Sequence, residues 1–204
     1  QAAHPDIDLV VSSASAIVDF GRDEADVAIR YGFGRWEGVR IEQLLEDAFF
    51  PVCSPRIAGG VPKRPADLAR YTLLRTDDEP WKPWLEAAGL DWPEPARGPL
   101  YNDSALLMQA AADGQGIALG RRSLLGNDER NGVLVRPFRI ETPNPRRIYL
   151  VYPARNAGSP KIAAFRDWLK SEIAADEAAD TATQKPPRRG PRVRNRPTGG
   201  RHSS

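Results

Sequence analysis

The chain is poor in the residues that carry catalysis and cross-linking. Its 204 residues include one cysteine, Cys53, one methionine, Met108, and two histidines, His4 and His202. A single cysteine excludes an intrachain disulfide and suits a reducing compartment. Both histidines lie near the ends, so no Ser-His-Asp or Cys-His set can form in the body, and no zinc set has credible ligands. No apolar run approaches the roughly 18–20 residues that span a bilayer. The opening Gln1-Ala2-Ala3-His4-Pro5-Asp6 has neither the basic nor the apolar region of a signal peptide. Without an initial methionine, the sequence reads as a fragment.

What is present can build a core: 41% of residues are hydrophobic, and a length of 204 residues is enough for one domain or two small lobes. Charge is unevenly placed. Lys185, Arg188, Arg189, Arg192, Arg194, Arg196 and Arg201 are seven of the 29 basic residues, and no acid accompanies them. The rest holds 22 basic against 27 acidic residues, a net of −5 that would repel nucleic-acid phosphates. Residues 176–204, ending in a Pro/Arg/Gly-rich run, read as a disordered basic tail with little apolar surface to bury. A sharper reading of that run is weak, salt-sensitive attraction to nucleic acid.

The body alternates two periodicities. Ile7–Ser13, Val27–Tyr31, Ile41–Leu45, Phe49–Cys53, Ile117–Leu119, Leu134–Val135 and Ile148–Tyr152 read as strands. Ala16–Asp23 with Ser15 as N-cap, Pro65–Tyr71, Pro80–Ala88 closed by Gly89, and Ala105–Asp113 capped by Ser104 read as helices. A last helix opens at Ser159-Pro160, with Ile162, Phe165, Trp168 and Leu169 on one side. Such alternation argues an α/β fold with largely parallel sheets.

Several enzymatic motifs fail on inspection. Cys53, between Val52 and Ser54, reads as a buried structural thiol. Asp77-Asp78-Glu79, in a loop before Pro80, reads as a solvated approach to a helix, and a paired acid/base site is disfavoured because sequence neighbours point apart. Gly32-Phe-Gly34-Arg-Trp-Glu-Gly38 departs from a dinucleotide fingerprint: its third glycine comes one position late and no amphipathic helix follows. A glycine turn at a strand's carboxyl end, where backbone can approach a ligand, accounts for it better.

In open α/β sheets, ligands gather beyond strand carboxyl ends and at helix N-termini. Three segments have that character: Ser12-Ser13-Ala14-Ser15, Arg30-Tyr31-Gly32 and Asn102-Asp103-Ser104. Polar capping would explain each singly. Together they point to a small-molecule cleft.

An ordered series of segments gives the chain a family likeness. It runs through His4-Pro-Asp-Ile-Asp-Leu, Asp19-Phe, Ala25-Asp-Val-Ala-Ile-Arg-Tyr-Gly, Phe50-Pro-Val-Cys-Ser-Pro and Pro65-Ala-Asp-Leu. It continues through Asp103-Ser104, Gly114-Gln-Gly-Ile-Ala-Leu-Gly, Leu134-Val-Arg-Pro-Phe and Pro160-Lys-Ile-Ala-Ala-Phe-Arg-Asp-Trp-Leu. From about His4 to about Ile173 the chain resembles the effector-binding domain of LysR-type transcriptional regulators, within the subgroup related to the glycine-cleavage activator.

The resemblance implies two Rossmann-like lobes of the type 2 periplasmic-binding-protein fold. Lobe one is expected over 1–47 and 159–175 and lobe two over 48–158, with a small effector between them. The first strand and helix of lobe one would precede this chain, leaving that lobe and its pocket incomplete. The family's winged helix-turn-helix, its route to promoter DNA, would also be absent. The implied effector contacts are Ser13, Ser15, Arg30, Tyr31, Asn102, Asp103 and Ser104. A small organic acid or amino acid would suit Arg30, whose loss should weaken an anion by about 1.5–3 kcal/mol. The resemblance further implies no cofactor, no catalysis, no membrane partner, a cytoplasmic location, and homodimers or tetramers in the intact family. A transporter's solute-binding protein would share the fold, and an enzyme on this scaffold would need a catalytic set that the body lacks.

Overall fold

Two short sheets, joined by two crossovers, organise the chain in a computed structural model that describes residues 7–13, 18–22 and 25–183. The first sheet holds β1 (Ala28–Gly32), β2 (Val39–Leu45) and β8 (Arg147–Pro153) in the order β1-β8-β2. The second holds β3 (Ala48–Val52), β6 (Ala118–Arg121) and β7 (Thr142–Pro143) in the order β6-β3-β7. Between them in sequence come a 3-10 turn (Pro65–Arg70), β4 (Arg75–Thr76), α1 (Lys82–Ala87), β5 (Leu100–Tyr101), α2 (Ser104–Ala112) and α3 (Arg122–Leu125). The final helix is α4 (Pro160–Thr183).

The second sheet is buried on both faces, and strand alternation shows why. Ala118 and Val52 turn toward a cluster with Phe50, Leu107, Met108 and Ala111 of α2. Ile117, Leu119 and Cys53 turn the other way, to Trp81, Trp84, Leu85 and Phe138. Trp84 stacks on Phe138 and meets Trp81 edge-on, and both indole N–H groups are satisfied, by Leu74 and Ile140 carbonyls at 2.9 Å. The first sheet is covered by α4, whose Ile162, Phe165 and Leu169, at helical spacing, pack on Leu150, Tyr152 and Leu44. Trp168 stays 45% exposed and leans on Phe165.

The strands and helices expected at Val27–Tyr31, Ile41–Leu45, Phe49–Cys53, Pro80–Ala88 and Ile148–Tyr152 form within a residue or two of those bounds. Pro65–Arg70 winds as a 3-10 turn, and Leu134–Val135 shrinks to a single bridge between Val135 and Cys53. The expectation of parallel sheets needs correction. β1 and β2 run the same way, but β8 inserts antiparallel between them, and β6 and β7 are antiparallel to β3. Parallel pairing among the described residues is limited to β4 with β5 and Leu73 with Ile117. The cause is chain order. The return to the first sheet comes as a strand before α4, so it enters from the opposite end. For the same reason β8, though inside the 48–158 stretch, belongs by hydrogen bonding to the first sheet.

Ile7–Ser13 forms no strand, and Val10 and Val11 are 86% and 83% exposed. Its β-branched pattern suits a strand, but strands form only where a neighbour supplies ladder hydrogen bonds. Val18–Arg22 contains a turn instead of the expected helix, closed by Arg22 N–H to the Asp19 carbonyl at 2.9 Å. The expected N-cap Ser15 and the basic run from Lys185 lie outside the described residues. α4 continues past the expected end near Ala175 to Thr183.

Candidate functional site

The two crossovers, Glu46–Asp47 and Asn144–Arg146, run side by side, tied by Asn144 N–H to the Asp47 carbonyl at 3.1 Å. The buried Asp47 carboxylate accepts from its neighbour Ala48 N–H and from the Ser123 hydroxyl of α3. Above this junction β1 ends in Tyr31-Gly32, and the turn to β2 passes over the ring of Tyr149. A cavity of about 690 Å3 opens there, lined by Tyr31, Gly32, Phe33, Arg35, Trp36, Asp78 and Arg146.

Aromatic faces and guanidinium groups make its walls. Trp36 meets Tyr149 edge-on at 5.5 Å. Arg146 lies near the rings of Tyr31 and Phe33, at 5.6 and 5.5 Å, and pairs with Asp78. Arg35 and Arg146 against Asp78 leave the lining net positive, which favours an organic anion or a zwitterion over a cation.

A buried charge network lies under the cavity. Glu79, 1% exposed, accepts from the Ser104 hydroxyl at 2.9 Å and pairs through Oε1 with Nε of Arg121 at 2.8 Å. Its Oε2 has no hydrogen-bond partner among the described residues. Burial pushes the Glu79 carboxyl above its ordinary range, with Arg121 and Ser104 opposing. The guanidinium carbon of Arg121 then stands 4.0 Å from the centroid of the Tyr31 ring, whose hydroxyl accepts from Nδ2 of Asn144 at 2.9 Å.

Of the residues singled out in the sequence, Tyr31 lines the cavity and Ser104 reaches its underside through Glu79 and Arg121. Arg30 leaves the opposite face of β1 from Tyr31, as adjacent strand residues do. It donates to the Val18 carbonyl at 2.8 Å and lies near Phe20 and Trp36, and burial lowers its pKa. Asp103, in place of the expected Ser104, is the N-cap of α2: its carboxylate accepts from Ala105 and Leu106 N–H. That earlier register frees the Ser104 hydroxyl for Glu79. Asn102 is exposed in the loop before α2, Ser13 is exposed in the irregular segment, and Ser15 lies outside the described residues.

Sequence reasoning missed Glu79, Arg121, Asn144 and Arg146. The solvated approach expected at Asp78-Glu79 is corrected by the fold: Asp78 pairs with Arg146 and Glu79 is buried. Arg121 sits at the carboxyl end of a buried strand, where the rule that led to Arg30 and Tyr31 could have found it. Arg146 was hidden by the assumption of parallel strands. Since β8 runs antiparallel, its amino end lies beside the carboxyl end of β1, with Gly32 opposite Arg147.

Two α/β lobes meeting at a double crossover, with an aromatic and cationic cavity at the junction, define a ligand-sensing domain of the periplasmic-binding-protein type. The chain belongs to the LysR substrate binding domain family, whose model matches residues 1–174. It is 36% identical over 179 residues to the glycine cleavage system transcriptional activator of Escherichia coli K12, covering 86% of this chain and 59% of that protein. It is 35% identical over 185 residues to the transcriptional activator AmpR of Pseudomonas aeruginosa, covering 87% and 60%. The solved effector domain of P. aeruginosa AmpR superposes with a TM-score of 0.74 at 33% identity, covering 89% of this chain and 88% of that one. The chain thus spans about three fifths of the length of these full-length relatives. Among the described residues no helix is long and apolar enough to cross a membrane.

Proposed function

We propose that this chain is the sensing half of a LysR-type transcriptional regulator, binding a small organic anion or amino-acid-like effector in the cavity at the lobe junction. The observation that carries this reading is the cavity itself, with two arginines and three aromatic rings at the junction of the lobes. Its volume of about 690 Å3 falls within the roughly 300–1,000 Å3 of small-molecule sites. Arg146 is the anion's partner, exchanging Asp78 for it. Tyr31, Phe33 and Trp36 cover the apolar part, and Ser104 acts from below. Arg30, Asn102, Asp103 and Ser13, none of which lines the cavity, and Ser15, outside the described residues, stay in the proposed set on the family resemblance alone.

The domain holds its ligand and does not transform it. Occupancy shifts the relative placement of the lobes, and so of DNA-binding domains carried elsewhere in the intact, oligomeric and cytoplasmic regulator. Such control requires an effector that favours one arrangement over another. The relatives' names, all transcriptional activators, support this reading over a transporter's solute-binding protein.

A thermal-shift and calorimetric screen of amino acids and small carboxylates tests it. A ligand at 100 times its dissociation constant should stabilise the domain by about 2.7 kcal/mol. Arg146→Gln should weaken an anionic hit by about 1.5–3 kcal/mol, and more than Arg30→Ala. A hit that binds Arg146→Gln and the parent equally would remove the cavity from consideration.

A further inference from the structure

We propose that Arg121 is the positioning residue of the cleft: held by Glu79 in the second lobe, it presents its guanidinium face to Tyr31 of the first lobe and latches the two lobes together.

The sequence places Asp78 and Glu79 side by side, and the fold gives each a different arginine. Asp78 takes Arg146 and Glu79 takes Arg121. Both guanidinium groups then lie against one ring, Arg121 at 4.0 Å and Arg146 at 5.6 Å from the Tyr31 centroid. Tyr31 belongs to β1 of the first sheet, whereas Arg121 ends β6 of the second. The contact therefore crosses between lobes whose covalent links are only the two crossovers. Arg121 is buried and its partner Glu79 more so, so the cation is little screened by water and gains more from an aromatic face than an exposed one would.

The latch is tied to the hinge at both ends. The Tyr31 hydroxyl meets Asn144 of one crossover. Two residues beyond Arg121, Ser123 donates to Asp47 of the other. A shift at Glu79, reached from the N-terminus of α2 through Ser104, thus arrives at both crossovers by way of Arg121. The coupling needs no ligand, so its failure would leave the effector-site reading untouched.

Spin labels at Gln43→Cys in β2 and Arg139→Cys in the second lobe report the separation of the lobes. Cys53 is fully buried and takes no label. In this background Tyr31→Leu removes the ring, while Tyr31→Phe keeps it and removes only the hydroxyl. Tyr31→Leu should raise the ratio of separated to closed lobes roughly 2- to 30-fold, the range expected from losing a cation–π contact, and Tyr31→Phe, which loses only the Asn144 hydrogen bond, should open them less. Should Tyr31→Leu fail to fold, Glu79→Gln with Arg121→Met removes both buried charges together, which is tolerated far better than removing one. That pair should open the lobes to the same degree. Unchanged distances in Tyr31→Leu or in the double variant, or equal opening in Tyr31→Phe and Tyr31→Leu, would overturn the proposal.

Discussion

The Ser104 hydroxyl donates to Oε1 of Glu79 at 2.9 Å, joining the first turn of α2 to a carboxylate that is almost wholly out of water. A hydrogen bond to a buried charge contributes more than a neutral one, because the oxygen's lost hydration has no other compensation. Ser104→Ala should therefore cost about 1.5–3 kcal/mol in urea unfolding. Asp103→Ala, which removes the N-cap of the same helix, should cost about 0.5–2 kcal/mol. If the Ser104 variant costs no more than a typical surface substitution, Glu79 does not depend on it.

The sequence made the second lobe legible and the junction only partly so. Alternating apolar strands and the α2 pattern are local properties, and they appear where periodicity puts them. From sequence Glu79 reads as solvated because it sits with Asp77 and Asp78 in a loop before Pro80. Its burial comes from Arg121, 42 positions later, which no local pattern reports. Ile7–Ser13 failed for the converse reason: its local pattern is right, yet no described strand pairs with it. Tyr31 was found because a strand's carboxyl end is a local feature. Arg146 was not, because its place beside Gly32 depends on which way β8 runs.

Gly34 adopts φ +72°, and a Cβ built on it would stand 2.7 Å from Cζ and the hydroxyl oxygen of Tyr149. Both the backbone conformation and the close approach require glycine. Tyr149 also supports Trp36, which lines the cavity, so the strain from a methyl group would be felt at the site. Gly34→Ala should destabilise the domain by about 1–3 kcal/mol and weaken binding of an effector found by the screen. A substitution without effect on either would mean that the turn tolerates a side chain.

Cys53, just past β3 and bridged to Val135, has no exposed surface, and burial raises its thiol pKa to about 11. Only the thiolate is nucleophilic, so two barriers act together, low ionisation and no access. In the native protein a disulfide reagent at neutral pH should leave the thiol unmodified, with one equivalent reacting after unfolding in urea. Rapid modification of the folded chain would show that the strand opens locally.

Two buried carboxyl groups should shape the pH dependence of stability in opposite directions. Asp67 accepts from Arg64 N–H at 2.9 Å and Lys63 N–H at 3.1 Å, beside the Arg64 and Arg70 guanidinium groups, and is held below its ordinary 3.8. Its folded-state pKa is depressed, so its stabilisation is present above 3.8 and is lost as pH falls through the lower folded value. Glu79 is the reverse: burial raises it above 4.5, so the folded state keeps this proton longer than the unfolded chain. Its contribution is full below 4.5 and declines as pH rises through the raised value. Unfolding free energies from roughly pH 2 to pH 8 should then separate the two. Asp67→Asn flattens the acid limb, and Glu79→Gln removes the decline above 4.5 while lowering stability by about 3–5 kcal/mol through the unpaired Arg121. A Glu79→Gln profile parallel to the parent's throughout would mean that Glu79 keeps its ordinary pKa despite its burial.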